Sequence, residues 1–208
     1  LQVGSNSLKV NNYSNPFVDN WNNTGDNDLL VGDGYGYVTF FENTGDYLDL
    51  ASGEKIKIGT KNLQVAGNAV PVVVDWYRDG WKDLIVGDKN GNLYLYLNDE
   101  TSNNDLPKLL PGVKIQANNS DLSVIEDASP YVIDWDGDSK DDLIIGNSDG
   151  SVFNYKNIGT NGTPSFTTGT KIKFEEKEIK VNANSRAFVL NQDEYNNIDL
   201  IIGSEAGY

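Results

Sequence analysis

The sequence predicts an all-β protein assembled from four copies of one unit. Two observations carry this. A pattern of strand, acidic loop, strand, tight turn and strand starts at Pro16, Pro71, Pro130 and Ala187, and these starts are 55, 59 and 57 residues apart. Related segments at near-constant spacing mark a repeat architecture. Composition agrees, because 11 Tyr, 4 Trp and a 38% apolar share are too rich for disorder, and the leucine periodicity of helices is missing.

The third copy, PYVIDWDGDSKDDLIIGNSDGSVFNYKN from Pro130, is the most complete. Val132 and Ile133 belong to a β-branched first strand, and an acidic loop follows from Asp134 to Asp142. Leu143 to Ile145 make a second apolar run that stops at Gly146. Ser148-Asp149-Gly150 is a turn signal, and Val152 to Tyr155 begin a third strand. The second strand is apolar throughout, as a strand buried on both faces should be.

The stretches between the copies also repeat. Each holds an alternating run, such as Lys55-Ile56-Lys57-Ile58 or Lys171-Ile172-Lys173-Phe174, and then a shorter one such as Leu63-Gln64-Val65. Alternation with lysine outward predicts an edge strand, here placed at the start of a unit. Each period then supplies about four strands. Four-stranded sheets repeated around an axis make a β-propeller, or a fragment of one. A linear solenoid is the alternative, but its repeats are usually shorter. The chain from 1 to 208 is expected to form one propeller-like repeat domain. It starts at Leu1 without a methionine and ends after the second strand of the fourth unit, which reads as a piece of a longer product. Further blades, a second chain or the N-terminal segment would complete the last unit.

The net charge of -15 disfavours nucleic acid and anionic membrane surfaces as partners. No apolar run is long enough to span a bilayer. The chain has no Cys and no His, which excludes disulfides, thiol nucleophiles, His-based triads and imidazole metal sites. Paired carboxylates for glycosidase chemistry are abundant, which makes any one pair unspecific. Asn12, Asn22, Asn118 and Asn161 lie in glycosylation sequons.

The sharpest constellation is Asp134, Asp136, Asp138 and Asp142, at positions 1, 3, 5 and 9 of a nine-residue loop. A hard cation such as Ca2+ takes six to eight oxygen ligands from carboxylates and carbonyls. Alternate residues of a tight loop can turn several oxygens inward, Gly137 allows the curvature, and Lys140 at position 7 offers its carbonyl. Without an ion these carboxylates repel one another. The second copy keeps Asp75, Asp79 and Asp83 but has Tyr77 at position 3. The first copy has Asn20, Asn22, Thr24 and Asp28 at the four positions, and the fourth retains Asn191, Asp193 and Asp199.

DWDGDSKDDLIIG resembles the VCBS/FG-GAP repeat family, whose integrin α-subunit relatives carry D-x-D-x-D-G-x-x-D-L loops in a seven-bladed propeller. The likeness covers essentially the whole chain. Ser139 departs from it, standing where the family has glycine after Asp138. The resemblance implies structural Ca2+ in the loops and roles in adhesion, glycan recognition or cell-surface assembly. It implies a secreted or cell-surface binding module, with a glycan or an extracellular protein as partner. A noncatalytic part of a polysaccharide-degrading enzyme is the alternative. Trp21, Trp76 and Trp135 share position 2 and are expected in the packing. Trp81, Tyr35 and Tyr37 are the candidate ligand contacts, as aromatics in a loop or turn.

Overall fold

The computed structural model describes residues 2–3, 6–45, 49–99, 106–190 and 198–205. These residues form three four-stranded and five two-stranded sheets. The first four-stranded sheet runs Asn15–Asp19, Asp28–Gly32, Val38–Phe41 and Glu54–Lys55, in that spatial order. The second runs Val70–Val74, Asp83–Gly87, Leu93–Tyr96 and Val113–Lys114. The third runs Ser129–Ile133, Asp142–Gly146, Val152–Tyr155 and Thr170–Lys171. Each predicted start lies one residue inside its first strand.

Two compact units are present, residues 1–88 with 94–113 and residues 89–93 with 114–208. In the first, Trp21, Leu30, Phe40, Val73, Leu84 and Tyr96 share one core. Leu29, Val31, Phe41 and Leu50 form a second cluster in that unit. Neighbouring residues of one strand, Leu29 and Leu30, thus feed two cores, because successive side chains leave opposite faces of a sheet. That is why Asp28–Gly32, Asp83–Gly87 and Asp142–Gly146 are buried at every residue. In the second unit Ile144, Val152, Ile172, Ala187 and Val189 make the core, with Tyr131 and Trp135 packed against it.

The alternating runs behave differently from the expectation. Glu54–Lys55 completes the preceding sheet, and Lys57–Ile58 turns away to form a hairpin with Lys61–Asn62. Ile56, buried between them, donates its N–H to Val38 and accepts one from Leu63. Ile115 and Ile172 repeat this pivot. The run therefore closes one unit instead of opening the next, and a small hairpin follows each four-stranded sheet.

Main-chain hydrogen bonds recur at the joint between successive copies, beside side-chain contacts such as Asn15 Nδ2 to the Ala69 carbonyl and the Lys82–Asp19 ion pair. Asp33, Gly34 and Gly36 accept hydrogen bonds from the N–H groups of Ala69, Asn68 and Val65. Asn147, Ser148 and Gly150 accept them from Ser185, Asn184 and Val181 in the same order. Gly36, Gly91 and Gly150 all have positive φ, and a Cβ added there would lie 2.0–2.2 Å from the carbonyl oxygen of Val65, Val124 or Val181. Only glycine fits such a contact.

The fourth sheet has two strands among the described residues, Arg186–Leu190 and Asp199–Gly203. The N-terminal Gln2–Val3 pairs with Asn6–Ser7 in a sheet of its own. Asp199–Gly203 alternates between exposed and half-buried residues, unlike its three counterparts.

Candidate metal centre

Three loops share one backbone course. Positions 4 and 6 have positive φ in each: Asn23 and Gly25, Arg78 and Gly80, Gly137 and Ser139. Position 9 is a buried aspartate in each, and it ties the loop down. Asp28, Asp83 and Asp142 accept the N–H of Trp21, Trp76 and Trp135 through Oδ2. Through Oδ1 they accept the N–H of Asn43, Asn98 and Asn157, each fifteen residues further on. These aspartates fix the loop to the end of the third strand. Burial raises the pKa of all three, against the backbone donors, and Asp83 is pushed up to about 6.

The third loop gathers its carboxylates. One oxygen from each of Asp134, Asp136 and Asp138 lies within 4.8 Å of the others, a set able to hold a divalent cation. Among the described residues this is the one such group of three. Asp134 is half-buried and accepts the N–H of Gly137 and Asp138 through Oδ1 and of Ser139 through Oδ2. Those bonds curl the loop around its first carboxylate. Asp136 and Asp138 are exposed. Lys140 Nζ is 3.3 Å from Asp138, and Lys156 is ion-paired with Asp136 and lies 3.3 Å from Asp138. Desolvation pushes Asp138 up, but the two lysines outweigh it and hold this carboxyl below its ordinary value.

An unforeseen residue supports the loop. Asn161 Oδ1 accepts the N–H of Asp141 at 2.9 Å, and its Nδ2 donates to the Ser139 carbonyl at 2.9 Å. In the sequence it stands out only as a sequon. Asn22, another sequon residue, is buried and donates its Nδ2 to Glu42.

The second loop is organised alike but is less acidic. Asp75 accepts the N–H of Asp79 and Gly80, Asp79 accepts that of Trp81, and Asp83 serves as the anchor. Asp199 is exposed at the fourth copy, and Asn191 and Asp193 lie outside the described residues.

Trp21 and Trp76 are buried, and Trp135 packs against a core. Trp81 is half-buried. Tyr35 is 60% exposed. The ring of Tyr37 is covered by Lys55, whose Nζ is 3.2 Å from its centroid. Trp81 sits at the acidic-loop end of its sheet, whereas Tyr35 and Tyr37 sit at the glycine-turn end of theirs. A five-residue strand separates such ends by about 16 Å.

No helix among the described residues is long and apolar enough to cross a membrane. No known protein family and no curated protein matches the chain. Among solved structures it is similar to a chain of the Photorhabdus luminescens Tc holotoxin pore, with 14% identity and a TM-score of 0.53. The likeness covers 91% of this chain and 8% of that one, and it is a likeness of fold.

Proposed function

We propose that this chain is a calcium-stabilised β-propeller module of the FG-GAP kind, acting at the cell surface or in secretion as a binding protein and not as an enzyme. The observation that carries the reading is the Asp134, Asp136 and Asp138 group, set on a loop whose shape two other copies share. An all-oxygen, carboxylate-rich donor set suits Ca2+, and extracellular calcium modules work at the 10⁻⁴–10⁻³ M level of affinity. Asp134, Asp136 and Asp138 would hold the ion, with the Lys140 carbonyl completing the set and Asp142 anchoring the loop. Bound there, Ca2+ neutralises the clustered charge and stabilises the folded state by mass action. Asp136→Ala is expected to weaken calcium binding and to shrink the calcium-dependent rise in melting temperature. An unchanged calorimetric response would remove Asp136 from the ligand set.

For the ligand we propose a carbohydrate, taken at the glycine turn of the first sheet. Tyr35 is 60% exposed and Tyr13 is 62% exposed. They flank Gly34, against which the Tyr13 ring packs so closely that an added Cβ would lie 3.2 Å from its Cδ2. Exposed tyrosines give a sugar both a flat apolar face and a hydroxyl. A glycan array, run with calcium and with chelator, should show binding that Tyr35→Ala abolishes. Silence across varied glycans would end the carbohydrate reading. The exposed face of the fourth sheet favours a protein partner or further blades instead, with Phe188 of its first strand 48% and Ile201 of its second 52% exposed.

A further inference from the structure

The residue at position 3 of each acidic loop has a recurring counterpart, the residue after the third strand. In the first copy Asn22 Nδ2 donates to Glu42 Oε1 at 2.9 Å. In the third copy the same two positions hold Asp136 and Lys156, joined as an ion pair. In the second they hold Tyr77 and Leu97. The chemistry of the counterpart follows that of the loop, and the copy with three gathered carboxylates is the one that supplies a cation. Lys156 reaches two of those carboxylates, whereas Lys140 reaches one.

We propose that Lys156 is a tethered counter-ion, whose ammonium holds the Asp134–Asp142 loop together without metal and withdraws when a divalent cation enters. The inference rests on the calcium reading above. The loop then exchanges one cation for another, where an all-acidic loop would pass from open to closed. Two observations support the exchange. The ammonium already stands among the carboxylates that a divalent ion needs. The Lys156 side chain is 42% exposed, so it can swing out on its flexible stem without unpacking the core. The lysine keeps the loop ordered at low calcium and lowers its apparent affinity.

The test is calcium titration by isothermal calorimetry of the whole chain, beside Lys156→Gln and Lys140→Gln. An exposed ion pair is worth enough to change affinity about two- to fivefold. Lys156→Gln should therefore bind calcium about two- to fivefold tighter than the parent, with a smaller gain for Lys140→Gln. The metal-free melting temperature of Lys156→Gln should fall and its calcium-dependent rise should grow. In NMR, the Lys156 ε-methylene signal should move towards that of a free lysine as calcium saturates. Calcium binding at equal affinity in parent and Lys156→Gln would overturn the exchange and leave the calcium reading standing. An equal gain in both variants would reduce it to bulk charge and also overturn it. If none of the three proteins binds calcium, the exchange and the calcium reading fall together.

Discussion

Ser139 has φ of +66° in a place where the family resembled here has glycine. The bonds that use it are main-chain ones, from its N–H to Asp134 and from Asn161 to its carbonyl. Glycine would keep both and remove the left-handed strain. Ser139→Gly is therefore expected to stabilise the chain by about 0.5–1 kcal/mol in chemical denaturation. The anchoring aspartates give a second prediction. Asp83 releases its proton near pH 6 in the fold and near 3.8 when unfolded, because burial disfavours its charge. Its contribution is fully present below pH 3.8 and is lost as pH rises through about 6, so stability in chelator should fall across that window. Asp83→Asn should flatten this slope. It should also cost about 1–3 kcal/mol, because an amide has one acceptor for the two N–H groups the carboxylate now serves. The acidic spacing was legible in the sequence. The anchoring role of position 9 was not, since a buried acceptor of two main-chain donors and a metal ligand are written with the same letter. Nor was Asn161, which reaches the loop across twenty residues.

At the scale of the element, the D-L-I-I-G strand takes its energetics from what covers it. Ile144 and Ile201 occupy the same place in two copies. Ile144 is fully buried, whereas Ile201 is 52% exposed. Truncation to alanine should cost about 2–5 kcal/mol at Ile144 and less than about 1 kcal/mol at Ile201, read from denaturation midpoints. The strands flanking each acidic loop were plain in the sequence because their β-branched runs are bounded by Asp and Gly. The lysine-alternating runs were harder. Lys55-Ile56-Lys57-Ile58 has the period of one strand, yet its buried isoleucine is a hinge between two sheets. Period alone does not say where a strand changes partners.

For the whole molecule, the regular spacing of the four starts made the repeat legible before any element was placed. What completes the last unit was not legible, because long-range strand pairing leaves no local pattern. The net charge of -15 opposes compaction, and a cation held at the proposed site would relieve it. Millimolar calcium should raise the melting temperature more than added monovalent salt of equal ionic strength. Differential scanning calorimetry reads this directly, and equal rises would mean that screening alone is at work.

The seam between copies uses peptide groups and the absence of a side chain at Gly36, Gly91 and Gly150. Side chains join the same seam, Lys82 pairing with Asp19 and Ser185 Oγ accepting the N–H of Asn147, but the peptide hydrogen bonds at the glycine turns do not run through them. The copies differ in their loops, one trading a carboxylate for a tyrosine and another gaining a lysine, yet the same glycine-turn bonds recur in them. Chemical individuality in the acidic loops thus sits apart from the glycine turns, so a single member can take up new chemistry while its turn keeps the same peptide pairing.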